Sequence, residues 1–239
     1  MPSVHRLYQA INTTWPARAT CQEAGWEIRD GAGGGKRVSA VTLAQTELPD
    51  IDWVEARLSE QGQEHLFMIR DGDEILDAAL AARDYKIIDP VTLYLCETTP
   101  LRPASLPRAQ SYCIWEPLHI MREIWATGDI REKRIALMHR VQTPKTALLA
   151  RSGDSPAGVG FLALDGEIAM LHAVEVLPAF RRTGVAKKLM AQAAKWAEDH
   201  GAKYVALMTT RDNQAANRLY SSLGMRPVGH YHYRIKDTT

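Results

Sequence analysis

A short segment in the second half of the chain limits what the chain can fold into. Residues 177–189 read LPAFRRTGVAKKL, so two arginines and a single glycine separate a β-rich run from an amphipathic stretch. From Val185 onward, apolar residues fall at positions 185, 189, 193 and 196, which is one stripe of a helix. The segment therefore predicts a strand, a short loop and a helix in direct succession.

The loop between this strand and this helix is suited to an anion. The first turn of a helix has N–H groups without partners and a partial positive charge, and Gly184 lets the backbone approach a ligand. Ala186 keeps the next turn small, while Arg181 and Arg182 add charged donors. A surface helix that simply begins with two arginines and a glycine explains the hexamer equally well, and both interpretations stay open at this point.

A second motif, N-x-x-A-x-x-L-Y-x-x-L-G, runs from Asn213 to Gly224 and follows the strand-like run YVALMTT. It predicts a helix whose first turn is capped by Asp212 or Asn213. Upstream, the dipeptide Asp165-Gly166 predicts the turn of a hairpin, and two amphipathic helices precede that hairpin. The first of these helices is predicted to bury one face: Leu118, Met121, Ile124 and Trp125.

The two motifs and the order of these elements resemble the GNAT acyltransferases over residues 110–239. The resemblance implies an α+β fold, with mixed, mainly antiparallel sheets flanked by helices. It also implies an N-acetyltransferase that uses acetyl-CoA as cosubstrate and needs no metal. The acceptor that it implies is a primary amine, carried by a small amine, an amino acid, a peptide or a protein.

The resemblance further implies which residues bind CoA. Backbone N–H groups of residues 182–186 would hold the pyrophosphate, and the strand edge at residues 174–176 would pair with the pantetheine arm. Asn213 would lie beside that arm. The cofactor-binding residues implied in this way are Val174, Val176, Arg181, Arg182, Thr183, Gly184, Val185, Ala186, Asn213 and Ala216.

Tyr220 is the candidate general acid that the resemblance implies. A phenol with an ordinary pKa of about 10 is protonated at neutral pH, so it can give a proton to the departing CoA thiolate. The amine would attack the thioester directly in a ternary complex, without a covalent intermediate on the enzyme. The alternative for Tyr220 is an aromatic side chain that packs on an amphipathic helix.

Two residues of the strand before the loop, His172 and Glu175, are candidates for the base that takes a proton from the amine. Strict alternation would place His172 on one face with Val174 and Val176, and Glu175 on the other face with Ala173. His172 is favoured because the ordinary pKa of histidine is near 6.5. A strand histidine bonded to a neighbour is an equally good account of His172, and water chains can replace a base.

The first half of the chain repeats part of this pattern. Strands at 36–44, 65–70 and 86–96 alternate with helices at 50–61 and 73–84, in the order of the final elements of the second half. A shift of 140 residues sets Asp73 opposite Asn213 and Leu80 opposite Tyr220, while AQTELPDID replaces the glycine-containing loop. We therefore expect a degenerate GNAT-like domain at 1–98, a Pro-rich linker at 99–109 and a catalytic domain at 110–239.

The glycine-rich stretch GAGGGKR, residues 31–37, lies between two strand-like runs and not before a helix. We therefore predict a turn connection there, since phosphate loops run from a strand into a helix.

Composition adds expectations about partners and location. With a net charge of +1 and 24% charged residues, the chain gives no argument for a nucleic-acid or membrane partner. Its three cysteines lack the spacing of a zinc site or a disulfide framework, and no run approaches the ~18 apolar residues of a membrane span. We expect a cytoplasmic enzyme and leave a homodimer open. The rival function is a CoA-binding sensor or interaction protein without turnover.

Overall fold

The computed structural model of the chain describes residues 1–101 and 110–236, and these fall into two compact units. The first unit draws on Met1–Pro16, Leu93–Thr209 and Asn213–Val228. The second unit draws on Ala17–Thr92, Thr210–Asp212 and Gly229–Thr239.

The helices of the described residues are α1 (Val4–Thr14), α2 (Ile51–Glu60), α3 (Glu74–Ala81), α4 (Thr98–Leu101), α5 (His119–Thr127), α6 (Glu132–Arg140), α7 (Val185–Asp199) and α8 (Gln214–Ser222). The strands are β1 (Ala19–Glu23), β2 (Trp26–Asp30), β3 (Thr42–Leu43), β4 (His65–Arg70), β5 (Lys86–Glu97), β6 (Ser111–Ile114), β7 (Lys145–Ser152), β8 (Ser155–Asp165), β9 (Ile168–Val176), β10 (Tyr204–Thr210) and β11 (Arg226–Lys236). This arrangement of mixed sheets flanked by helices confirms the predicted fold class.

The sheet of the first unit has the strand order β5-β10-β9-β8-β7-β6. Strands β6 to β9 pair antiparallel, whereas β10 runs parallel to β9. The turn of the β8–β9 hairpin has Gly166 at φ 58°, as the Asp-Gly dipeptide predicted. Helix α7 packs against β7, β8 and β9, and both α1 and α5 contact β8 and β9.

Helix α7 has the predicted apolar stripe. Its four stripe positions are all buried against the sheet: Val185, Leu189, Ala193 and Trp196. The helix ends at His200, and Gly201 follows in the left-handed region at φ 83°, which is the predicted stop. In α5 the prediction was partly wrong, because Leu118 precedes the helix and is exposed.

Strand β9 contains a bulge that the sequence did not reveal. Phe161 of β8 pairs with His172, and Val159 pairs with Glu175, so three steps along β9 match two steps along β8. Ala173, inside this bulge, has a positive φ of 51°. Paired residues share a face of the sheet, so His172 and Glu175 lie on the same face. The predicted alternation was wrong because the extra residue reverses it.

The bulge is held from one side by α5. The indole Nε1–H of Trp125 donates a hydrogen bond to the carbonyl oxygen of Ala173 at 2.7 Å, and Trp125 is fully buried. Val174 and Val176 instead pack on the core that includes α7. The two faces of β9 therefore carry different parts of the site.

The second unit contains the antiparallel sheet β1-β2-β3 and the strand order β4-β11-β5. Its core gathers side chains from β2, α2, β4 and α3, among them Trp26, Val54, Leu58, Phe67 and Leu80. The strand predicted at 36–44 was largely wrong, since residues 36–38 form a 3-10 turn and only Thr42–Leu43 pair as a strand. GAGGGKR connects the antiparallel strands β2 and β3, as predicted, and Lys36 pairs with Asp89 at 2.6 Å.

Each unit contains a strand from the other half of the sequence. Residues 93–97 of β5 belong to the first unit, beside β10, while residues 229–236 of β11 belong to the second unit. There, β11 pairs antiparallel with β4. The two units thus interleave along the chain, and the linear division at 98 and 110 stays a prediction.

The internal repeat is visible in the element bounds. Helices α3 and α8 begin at Glu74 and Gln214, and strands β5 and β11 begin at Lys86 and Arg226, each pair 140 residues apart. Of the predicted Pro-rich linker, residues 102–109 lie outside the described residues. Within the described ranges, no helix combines the length and the apolar character that crossing a bilayer requires.

Candidate active site

A cavity of about 670 Å³ lies in the first unit, where the end of β9 meets the beginnings of α7 and α8. It brings together every predicted cofactor-binding residue except Thr183, and also Glu175 and Tyr220. The sequence did not single out the remaining lining residues: Phe180, Lys187, Ala215 and Leu219.

The first turn of α7 opens into this cavity without a side-chain cap. Gly184 occupies the N-cap position at φ 88° and ψ 1°, and no side chain accepts a hydrogen bond from the first helical N–H groups. A residue with a side chain would be strained at that φ, so the position needs glycine. The turn therefore offers backbone donors and the positive end of a helix dipole to an anionic ligand.

The two arginines before Gly184 have different surroundings. Arg181 folds back on β9, where its Nε–H donates to the carbonyl oxygen of Val176 at 3.1 Å and Nη2 lies 3.3 Å from Oε1 of Glu175. Arg182 lines the cavity with its backbone at φ 64°. Thr183 turns away and donates its hydroxyl to the carbonyl oxygen of Phe180 at 2.7 Å. Arg182 is therefore the better placed of the two predicted charged donors.

Helix α8 forms the opposite wall. Asn213 caps it, because Oδ1 accepts a hydrogen bond from the backbone N–H of Ala216 at 3.1 Å, so Asn213 and not Asp212 provides the cap. Two turns further on, Tyr220 has 6% of its surface exposed and reaches the cavity.

The environment of Tyr220 keeps its phenol protonated. Burial raises its pKa to about 12, and the neighbouring Tyr94 adds to the shift. The ring centroids of Tyr94 and Tyr220 are 5.7 Å apart, and the Tyr94 hydroxyl donates to Oδ1 of Asn217 at 2.9 Å. Tyr94 belongs to β5 in the first half of the sequence, so no motif pointed to it.

The two candidate bases are placed differently. Glu175 lines the cavity, whereas His172 does not line it and has only 3% of its surface exposed. Nε2 of His172 lies 2.9 Å from Oγ1 of Thr14, and its ring stacks on Trp15 with centroids 5.0 Å apart. Both partners come from the beginning of the chain, which the sequence analysis had not linked to the site.

Glu175 also explains a glycine at the end of α5. A Cβ on Gly128 would overlap the Glu175 carboxylate, so only glycine leaves that carboxylate in place.

The histidines of β11 lie outside this cavity. In the second unit, His230 pairs with Asp71 and His232 pairs with Asp77, each at 2.9 Å.

The second unit fills the space that corresponds to the cavity. At the shift of 140 residues, Leu76 replaces Ala216 and Leu80 replaces Tyr220. Both leucines are fully buried in the core of that unit, together with Val54 and Leu58 of α2. Larger apolar side chains have thus closed the corresponding cleft, which accounts for the degenerate character of this copy.

No group of three or more metal-ligating side chains is present among residues 1–101 and 110–236. The expectation of a metal-independent reaction stays a prediction.

The fold and the cavity together define the class of this protein. The model of the acetyltransferase (GNAT) family matches residues 112–225. This part of the chain is a GNAT acetyltransferase domain, and the chain is an acyltransferase of that type.

Particular relatives extend the likeness beyond this domain. Over 99% of its length the chain is 25% identical to the whole of the uncharacterized N-acetyltransferase YobR of Bacillus subtilis. In fold, it is similar to a GCN5-related N-acetyltransferase from Kribbella flavida, with a TM-score of 0.74, 17% identity, and coverage of 98% of this chain and 95% of that one.

A tandem GNAT protein from the clavulanic acid biosynthesis pathway is similar in fold as well. Its TM-score is 0.60 at 12% identity, with coverage of 98% of this chain and 89% of that one. A likeness at this identity concerns the fold alone, and it agrees with the repeat of elements in the two halves.

Proposed function

We propose that this protein is an N-acetyltransferase that moves an acetyl group from acetyl-CoA to a primary amine in a ternary complex. The observation that carries the proposal is one continuous cavity that joins the uncapped first turn of α7 to the buried hydroxyl-bearing side chain of Tyr220. A cytoplasmic location and a homodimer stay predictions.

The residues of the cavity suit the parts of acetyl-CoA. Backbone N–H groups at the start of α7 and the guanidinium of Arg182 would bind the pyrophosphate. Val174, Val176 and Ala216 give an apolar lining for the pantetheine arm. When bound, acetyl-CoA supplies an activated acetyl thioester, and the chain's own residues position it and move protons.

Tyr220 is proposed as the proton donor to the CoA thiolate. Its raised pKa keeps the phenol protonated at every pH at which the protein is folded and active. A proton donor at this point is needed by an enzyme, whereas a protein that only binds CoA has no use for it.

His172 is proposed as the group that takes the proton from the acceptor amine, and Glu175 is the second candidate. The bulge of β9 places both side chains on one face of the sheet. The Glu175 carboxylate is already engaged by Arg181, while His172 has a fixed neighbour that defines its hydrogen bonding.

The test compares binding with turnover. Purified protein is screened against amines, amino acids and peptides, and released CoA thiol is measured. Tyr220→Phe should leave the Kd for acetyl-CoA within about twofold and lower kcat by about 10²-fold, the lower end of what proton transfer contributes. Unchanged kcat in Tyr220→Phe would remove its role as the acid, and binding without turnover on any acceptor would favour the sensor.

His172→Gln and Glu175→Gln identify the base on the same acceptor. The variant of the true base loses kcat by about 10²-fold or more. The variant of the other residue keeps kcat within a few-fold. Equal and full activity of both would indicate that water removes the proton.

A further inference from the structure

We propose that Thr14, at the end of α1, is a positioning residue that holds His172 in the tautomer protonated at Nε2 and so makes Nδ1 the basic nitrogen. The catalytic meaning of this inference rests on the proposed function. The tautomer itself does not.

The direction of the hydrogen bond between Thr14 and His172 follows from the other bond that Thr14 makes. Oγ1 of Thr14 lies 2.6 Å from the carbonyl oxygen of Ala10, which can only accept a hydrogen bond. The single hydroxyl proton of Thr14 is therefore used there. At its second contact, 2.9 Å from Nε2 of His172, Oγ1 can act only as an acceptor. The imidazole must donate, and it carries its proton on Nε2.

The surroundings fix this arrangement. Thr14 is fully buried, and the His172 ring is stacked on Trp15. Helix α1 is itself anchored to the β8–β9 hairpin, because Arg6 donates through Nη1 and Nη2 to the side chain and the backbone oxygen of Asp165. Rotation of the imidazole would lose both the stacking and the hydrogen bond.

This geometry matches the work of a base. Nδ1, which keeps its lone pair in the Nε2–H tautomer, takes one proton from the acceptor's ammonium group, directly or through water. The amine keeps the freed electron pair for attack on the thioester. The imidazolium then carries protons on both nitrogens, and Thr14 continues to accept from Nε2–H without rearrangement. An opposite tautomer would have no acceptor at Thr14 and would present the wrong nitrogen.

The tautomer is measured directly by long-range ¹H–¹⁵N correlation spectra of the full chain, labelled with [¹⁵N]histidine, above about pH 8, where histidine is normally neutral. The ring signals of His172 are assigned by their absence from His172→Gln. We expect the Nε2–H pattern in the wild type. The Nδ1–H pattern in that spectrum would overturn the inference, and this measurement needs no variant of Thr14.

Two variants of Thr14 then separate positioning from packing. Thr14→Ser keeps the hydroxyl and should keep both the Nε2–H pattern and kcat. Thr14→Val keeps the shape, loses the acceptor, and should lose the Nε2–H preference together with about tenfold in kcat at unchanged KM. A Thr14→Val protein with the wild-type spectrum and kcat contradicts the inference.

The failure of the proposed function looks different. In that case His172→Gln retains full turnover, while the Nε2–H pattern of the wild type is still observed. Thr14 would then fix the tautomer of a residue that is not the base.

Discussion

Removal of residues 1–16 should destabilise the first unit and abolish turnover, although the family match begins only at residue 112. Helix α1 lies within this segment and belongs to the first unit. Leu7 and Ile11 are 0% and 4% exposed there. At about 1.5–3 kcal/mol for each buried aliphatic side chain, these two residues alone contribute roughly 3–6 kcal/mol.

That contribution is a large part of the total. Native domains are stable by only about 5–15 kcal/mol, and in a chain of this size about 1 kcal/mol corresponds to roughly 2–4 °C in Tm. We expect the truncated protein to lose about 10 °C or more in Tm. Hydrogen exchange should become faster in residues 155–176, which form the hairpin that α1 covers.

Matched point variants separate the loss of packing from the loss of chain. Leu7→Ala should cost about 2–5 kcal/mol, as is typical for a leucine deleted from a core. Gln9→Ala, at an exposed position of the same helix, should change the free energy of unfolding by no more than about 0.5 kcal/mol. A truncated protein with wild-type Tm, exchange and kcat would refute the assignment of α1 to the catalytic unit.

Three further outcomes test the site. Because only the protonated phenol can donate, and its pKa is raised to about 12, kcat should show no loss from Tyr220 ionisation below about pH 10; a loss near pH 9 that vanishes in Tyr220→Phe would contradict this burial. Arg182→Glu should raise the Kd for CoA by about tenfold in calorimetry, since it puts a negative charge beside the pyrophosphate, whereas Arg218→Glu, outside the cavity lining, serves as the control; equal effects would remove Arg182 from the site. Trp125→Phe should cost about 1–3 kcal/mol in urea unfolding because the Ala173 carbonyl in the bulge loses its donor, and an unchanged midpoint would show that the bulge does not need it.

Local patterns predicted much of this site because its parts are close in sequence. The loop and the helix of Val185 follow each other directly, and the cap of α8 lies within the same motif as Tyr220. Periodicity, turn dipeptides and caps are properties of adjacent residues, so one sequence is enough to reveal them.

The features that were missed depend on contacts between distant segments. Tyr94 and Thr14 lie more than 100 residues from the side chains that they contact, Tyr220 and His172. The bulge at Ala173 reversed the expected faces of β9, and an alanine with positive φ gives no warning in a sequence.

The exchange of final strands between the two units has a consequence for biosynthesis. A domain encoded by one continuous segment can fold as soon as that segment leaves the ribosome, and N-terminal domains generally fold first. Here the second unit is built mainly from residues 17–92, yet its β4 stays an unpaired edge until β11 has been translated. Such an edge is open to pairing with other chains for as long as synthesis lasts. The same exchange binds the two halves into one heritable piece: a gene fragment that encoded only the family-matching region would lack β5, so the degenerate half cannot be discarded while its partner is kept.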